Sequence, residues 1–263
     1  EENADREHLQ TERRFMFASV FSAAISGMEV HLIKVEADVS DGLPSFTMVG
    51  LPSTQVKEAQ DRVRTALKNN GIALPPKRIT VNLAPADIRK EGAGFDLPLA
   101  AAVLAAAGVL SAEQLGNVMM AGEIGLNGEI HAVSGILPMI IRAREEKCRF
   151  CVVPYDNLKE AHLIPDMKVI GVADLQEMIR YVSAPDSYKK AVKTEKKSPQ
   201  ENSVDFCEIH GQESLKRAVE IAVSGFHNLL MIGPPGAGKT MIARRIPGIM
   251  PELTVEEGLE LTK

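Results

Sequence analysis

Eight residues, GPPGAGKT at positions 233 to 240, constrain the fold more than any other stretch of this chain. They match G-x-x-x-x-G-K-[ST] at every fixed position. They follow a short apolar run, NLLMI, which reads as a strand, and precede MIARRI, which reads as a helix terminated around Pro247. A glycine loop between strand and helix is the context this pattern requires, so the region is predicted to be a P-loop α/β unit. Gly233, Gly236 and Gly238 can take backbone angles closed to other residues and let the chain approach a polyanion. The amides from Gly236 through Ala237 and Gly238 to Lys239 are expected to form an anion-binding nest, aided by the positive end of the following helix. Lys239 offers a mobile charge to β- and γ-phosphates, and the Thr240 hydroxyl suits Mg²⁺. Pro234 and Pro235 stiffen the loop. The implied cofactors are ATP and Mg²⁺, with Lys239 and Thr240 as the catalytic pair and Thr240 as the metal ligand.

At 263 residues the chain exceeds one average domain. From Pro185 to Ser203 large apolar residues nearly vanish while Lys, Ser, Pro and Glu dominate, the composition of a linker. Residues 16–184 and 204–263 are the expected domains on either side of a 185–203 linker. Residues 1–15 mix both charges without an apolar core, which suits an added tag or a disordered arm with Met16 as the native initiator. No apolar run reaches the roughly 18 residues of a membrane span, so no membrane contact and a cytoplasmic location are expected. Three cysteines make no disulfide framework. Cys148 and Cys151 lack the second ligand pair of a zinc site, Cys207 stands alone, and Cys148 reads as the end of a helix before a buried strand opening at Cys151.

The first domain alternates period-2 and period-3.6 patterns. FASVFSAAI, VHLIKVEADV, SFTMVG, RITVNL, VMMAGEI, FCVVP and KVIGV read as strands. A helix starting at Ser53 carries Val56, Ala59, Val63, Ala66 and Leu67 on one face and is closed by Gly71. LPLAAAVLAAAGVL, ILPMIIRAREEK and DLQEMIRYV read as further helices, and another runs from about Glu213 to Gly225. The fold class is α/β throughout.

The net charge of −5 excludes a uniformly basic coat but not a local basic surface. Candidate nucleic-acid contacts are Lys57, Arg62 and Arg64 on the first helix, Lys77 and Arg78, Arg89 and Lys90, and the linker lysines from Lys189 to Lys197. Arg89-Lys90-Glu91-Gly92 stands out as a polar, glycine-containing loop between two apolar elements. The bland reading of each is a solvated charged face.

The stretch VDFCEIHGQESLKRAVEIAVSGFHNLLMIGPPGAGKTMIARRIPGIMPELT resembles the start of the AAA+ module of the magnesium-chelatase family. That likeness implies that Ile209, His210 and Gly211 lie near an adenine. LPSFTMVGLP, RITVNLAPADIRKEGAGFDLPLA and AGEIGLNGEIHAVSGI are similar to the YifB/ComM subfamily. The resemblance implies a Lon-protease-like (ribosomal S5 domain 2-like) α+β domain ahead of a P-loop AAA+ α/β domain. It also implies a hexameric ring and a DNA helicase or branch-migration factor, acting on single-stranded or branched DNA in natural transformation or recombination. A magnesium-chelatase-type ATPase that remodels a protein or inserts metal is the alternative. A third reading gives the Lon-like domain a non-catalytic interaction role. Set against the Lon motifs, Gly94 falls at the nucleophile and Leu137 at the lysine base. Ser134 and Lys147 are candidate substitutes, but Ser134 falls where Lon has Gly and both members of the pair would need replacement, so no peptidase is expected. With so little sequence after the loop, residues 1–263 by themselves are expected to turn over ATP negligibly.

Overall fold

The computed structural model describes residues 17–27, 29–188, 206–251, 253–254 and 257–258. The N-terminal arm, Met16 and the linker lysines from Lys189 to Lys197 lie outside them. The chain divides into two compact units, one carrying the described residues up to Tyr188 and the other those from Phe206.

Strict alternation of apolar and polar residues builds the centre of the first unit. β1 (Phe17–Ser26) and β2 (Glu29–Ser40) form an antiparallel pair with Ala18 opposite Ala37 and Val20 opposite Val35. Along β2, Ile33, Val35, Ala37 and Val39 are buried while their neighbours are not, the signature of a sheet covered on one side here. β3 (Ser45–Val49) runs parallel to β4 (Arg78–Ala84) at one edge. β5 (Val118–Met120), β8 (Phe150–Pro154) and β9 (Val169–Val172) extend the sheet in parallel on the other side. The order is β3-β4-β2-β1-β5-β8-β9. Every residue of β5, β8 and β9 is buried, as parallel strands covered on both faces require.

Helix α1 (Thr54–Asn69) starts where the Ser53 hydroxyl accepts from the Val56 amide at 3.4 Å. Its buried residues are Val56, Ala59, Val63, Ala66 and Leu67, the five expected. Sealing that stripe into the core stabilises the helix by roughly 1.5–3 kcal/mol for each Val or Leu. Helix α2 (Asp96–Ala106) is buried at all eleven residues, so it packs as a core element and not as a surface helix. Helices α3 (Ala112–Leu115), α4 (Ile136–Glu145), α5 (Leu158–Ala161) and α6 (Leu175–Ser183) complete this unit.

Several sequence expectations are corrected. The expected strand VMMAGEI breaks at Ala121–Gly122, because the Gly122 amide turns to donate to Gly94 O at 3.0 Å. Beyond the break the chain forms a two-stranded hairpin, β6 (Glu123–Ile124) and β7 (Ile130–His131). Helix α4 stops at Glu145, so Cys148 lies in the turn beyond it and β8 opens at Phe150. Burial pushes the Cys148 thiol up to about 11 and the Cys151 thiol higher still, which leaves both protonated at neutral pH. At the start of the expected linker, Pro185–Ser187 forms a 3₁₀ turn. The Tyr188 hydroxyl then accepts from the Gly171 amide at 3.0 Å, and its ring meets Tyr181 edge-on at 4.9 Å.

In the second unit, helix α7 (Glu213–Ser224) precedes helix α8 (Lys239–Ala243), with 3₁₀ turns at Phe206–Glu208 and Ile246–Ile249. NLLMI is not a strand. The described residues of this unit supply no strand to pair with it, and Leu230 and Ile232 stay 82% and 88% exposed. The MIARRI helix is also shorter than expected: it gives way at Arg244 to a turn and then the 3₁₀ segment around Pro247.

Candidate nucleotide site

The glycine loop is anchored from below. Ile209 is buried against Phe206, Val219 and Ile242, and Ile242 belongs to α8. One small core therefore ties the segment Ile209-His210-Gly211 to the helix that follows the loop. His210 and Gly211 are exposed, with Gly211 at φ +72°. Gln212, the next residue after that segment, reaches from the start of α7 to donate to Ala237 O at 3.4 Å.

Gly236 at φ +82° and Gly238 at φ +80° place the backbone where a Cβ is disfavoured. Nothing lies within 4 Å of where a Gly236 side chain would point, so that face is open. The Ala237 amide donates to Pro234 O at 3.3 Å and closes the turn. Among the described residues, the amides of Gly236, Gly238, Lys239 and Thr240 donate to no acceptor. The Lys239 ammonium donates to Gly233 O at 2.7 Å and Pro234 O at 2.8 Å across the same turn. Pro234, Pro235 and Thr240 are exposed. Four loop amides with no acceptor among the described residues, a cation and a hydroxyl are the donor set that suits a polyphosphate with its divalent metal. Arg245 does not join them, being paired with Glu208 at 2.6 Å.

The basic candidates of the first unit separate by burial. Lys90 has no exposed surface, and its ammonium donates to Gly50 O at 2.8 Å and to Pro85 O. Burial pushes its pKa down, against a smaller opposing pull from Asp87. The expectation that Lys90 is a candidate nucleic-acid contact in a polar loop is wrong: it is a buried brace between two segments of backbone. Arg62 is likewise committed, its Nε 2.8 Å and Nη2 2.9 Å from the two carboxylate oxygens of the fully buried Asp96. Arg89 pairs with Glu91 at 2.9 Å and Lys77 with Asp41 at 3.0 Å. Lys57, Arg64 and Arg78 are exposed and carry no ion pair among the described residues.

Gly94 lines a cavity of about 300 Å³ together with Gly92, Glu91, Glu123, Ser134 and Met139. Ser134 thus shares a cavity with Gly94, but no lysine among the described residues lines it. Leu137 is buried in α4, and Lys147 lies in the turn after it at φ +57°.

Comparison with known proteins gives the class. A family model described as subunit ChlI of Mg-chelatase matches residues 35–157, and one described as magnesium chelatase, subunit ChlI, matches residues 205–263. The chain belongs to the YifB/ComM subfamily of magnesium-chelatase-like AAA+ ATPases. It is 42% identical over 247 residues to the competence protein ComM of Haemophilus influenzae, covering 92% of this chain and 48% of the relative. It is 42% identical over 241 residues to the uncharacterized protein YifB of Escherichia coli K12, covering 92% and 47%. Lon protease 2 of Bacillus subtilis is 27% identical over 128 residues, 48% of this chain and 22% of that protein. The chain spans about half the length of the ComM and YifB relatives.

Proposed function

We propose that the second unit binds ATP with Mg²⁺ through Gly233 to Thr240, and that the whole protein is an ATP-driven motor acting on single-stranded or branched DNA as a hexameric ring. One observation carries the nucleotide reading: among the described residues, four loop amides have no acceptor, in a turn whose lysine is held by two loop carbonyls. Those amides and the Lys239 ammonium bind and orient phosphate oxygens, and Thr240 holds the metal. In this reading the exposed His210 and Gly211 flank the base, on a segment that Gln212 links to the loop, while Ile209, buried in the small core, anchors that segment and does not itself meet the base. Bound nucleotide supplies the phosphoryl group whose transfer drives movement.

The choice of DNA rests on the relatives, one of which is named a competence protein. The ChlI family models favour a second reading, a motor that remodels a protein or metal-insertion partner. ATPase assays on the whole protein separate the two. Stimulation by branched DNA supports the first reading, and stimulation by a porphyrin without any response to DNA replaces it with the second. Titration of the 263-residue chain with a fluorescent ATP analogue and Mg²⁺ tests the nucleotide site itself. Affinity unaffected by Lys239→Met would remove the claim.

A further inference from the structure

A second site takes shape at the far edge of the first unit's sheet. The end of α1, the start of β3 and the chain between Ile72 and Ile79 enclose a groove of about 420 Å³. Its floor is apolar: Phe46, Ile72 and Leu74 are half-buried and rest on the core, and Ile79 is buried. Its rim is cationic. Arg64 and Lys68 stand one helical turn apart on the same face of α1, and Lys77 reaches in from the opposite side.

The charge balance sets this groove apart. No carboxylate among the described residues lines it, whereas three other cavities of the unit carry Glu29 and Glu145, Glu146, or Glu91 and Glu123. Lys77 is neutralised by Asp41, but Arg64 and Lys68 are exposed and have no ion pair among the described residues. Lys68 has a local reason to be there, since a cation in the last turn complements the helix dipole. Arg64, a turn earlier, gains little from that effect. Two cations with no ion pair among the described residues line one groove with a half-buried aromatic ring; in a chain of net charge −5 they form a local feature and not a general basic coat.

We propose that this groove binds single-stranded nucleic acid, one base lying on Phe46 between Pro44 and Pro75–Pro76 with flanking phosphates at Arg64 and Lys68. A backbone-tracking cationic rim over an aromatic platform is how single strands are held without sequence preference. The volume admits about one nucleotide, which a stacked duplex cannot deliver without unpairing. The choice of nucleic acid over an acidic peptide rests on the motor reading above; the demand for a polyanion does not.

The test is fluorescence anisotropy of a labelled 12-nucleotide oligothymidine with the full 263-residue chain, without nucleotide, at 50 and 200 mM KCl. Arg64→Gln with Lys68→Gln is expected to weaken binding at least tenfold at low salt. The same double variant should lower the log–log salt slope by about 1.4, that is, two contacts at about 0.7 each. Lys159→Gln with Arg180→Gln removes the same charge from the α5 and α6 region, at the other end of the strand order, and should change affinity less than twofold. Matching thermal unfolding curves show that all variants fold. Wild-type binding with no loss in the groove variant overturns this site while leaving the DNA reading in place. No binding by wild type at 50 mM overturns both. Equal affinity for a duplex of the same length, or for poly-glutamate, shows that the groove reads charge alone and overturns the single-strand assignment.

Discussion

Two lysines in this chain hold the same kind of bond and face opposite fates. Lys90 and Lys239 each flank a glycine turn that leads into a helix, and each ammonium is held by two backbone carbonyls. Around Lys90 everything else is also committed: its own amide donates to Leu51 O at 3.4 Å, and its carbonyl accepts from the Ser53 amide at 3.0 Å. No solvent reaches it. Gly233 and Pro234, whose carbonyls hold Lys239, are exposed residues, so water can replace the ammonium there at small cost. The lesson is that burial, not the hydrogen-bond pattern, decides whether a lysine at a glycine turn is a latch or a reachable charge.

The hardest blow to the latched turn comes from its other side. Asp96, two residues after Gly94, is fully buried and held by Arg62 and by the Ile124 amide at 3.2 Å. Arg62→Ala strands that carboxylate, and urea unfolding should show a loss of roughly 3–5 kcal/mol. Burial raises the Asp96 pKa above its ordinary 3.8, and Arg62 pulls it part of the way back. An acid with a raised folded value binds its proton more tightly in the fold. The stability linked to that proton is therefore complete below 3.8 and is lost as pH rises through the folded value. Without Arg62 the folded value climbs further, so Arg62→Gln should regain stability as pH falls from about 8 toward about 5. A flat profile would mean that Asp96 had found another partner.

The two lysines predict opposite defects. Lys239→Met should lower nucleotide affinity about 100-fold, near 2.7 kcal/mol, while leaving unfolding free energy within about 0.5 kcal/mol of wild type. Lys90→Met keeps most of the volume but leaves Gly50 O and Pro85 O short of a donor. It should cost roughly 1–3 kcal/mol of stability and change nucleotide affinity less than twofold. Paired titrations and denaturant melts check both, and a variant that shifts both quantities equally would erase the distinction.

Sequence alone could not draw that distinction. The α1 stripe and the β2 alternation were legible because period and burial are local properties, and all five buried positions of α1 follow from spacing. Arg89-Lys90-Glu91-Gly92 read as a polar loop because the acceptors that bury Lys90 lie 40 residues away at Gly50 and five away at Pro85. Asp96 and Arg62 are 34 positions apart, so their pairing leaves no local trace. β6 and β7 are two residues each, too short to show a period. NLLMI failed in the opposite way, since an apolar run specifies a strand only when a neighbour is there to pair with it.

The finest test compares the glycines themselves. Gly236 sits at φ +82° with open space around it, so an alanine there meets no atom but must hold a backbone conformation costing about 1 kcal/mol. Gly236→Ala should therefore weaken nucleotide binding only several-fold, by shifting the loop away from its cradle shape. Gly94 is not at positive φ, and an added Cβ would meet the Val133 methyls at 3.9 Å, ordinary contact. Gly94→Ala should change unfolding free energy by less than about 0.5 kcal/mol. If the Gly94 variant proved the more damaging of the two, the turn before α2 would depend on its glycine for some reason other than backbone angle or space. The contrast between a braced turn and a free one would then have to be redrawn.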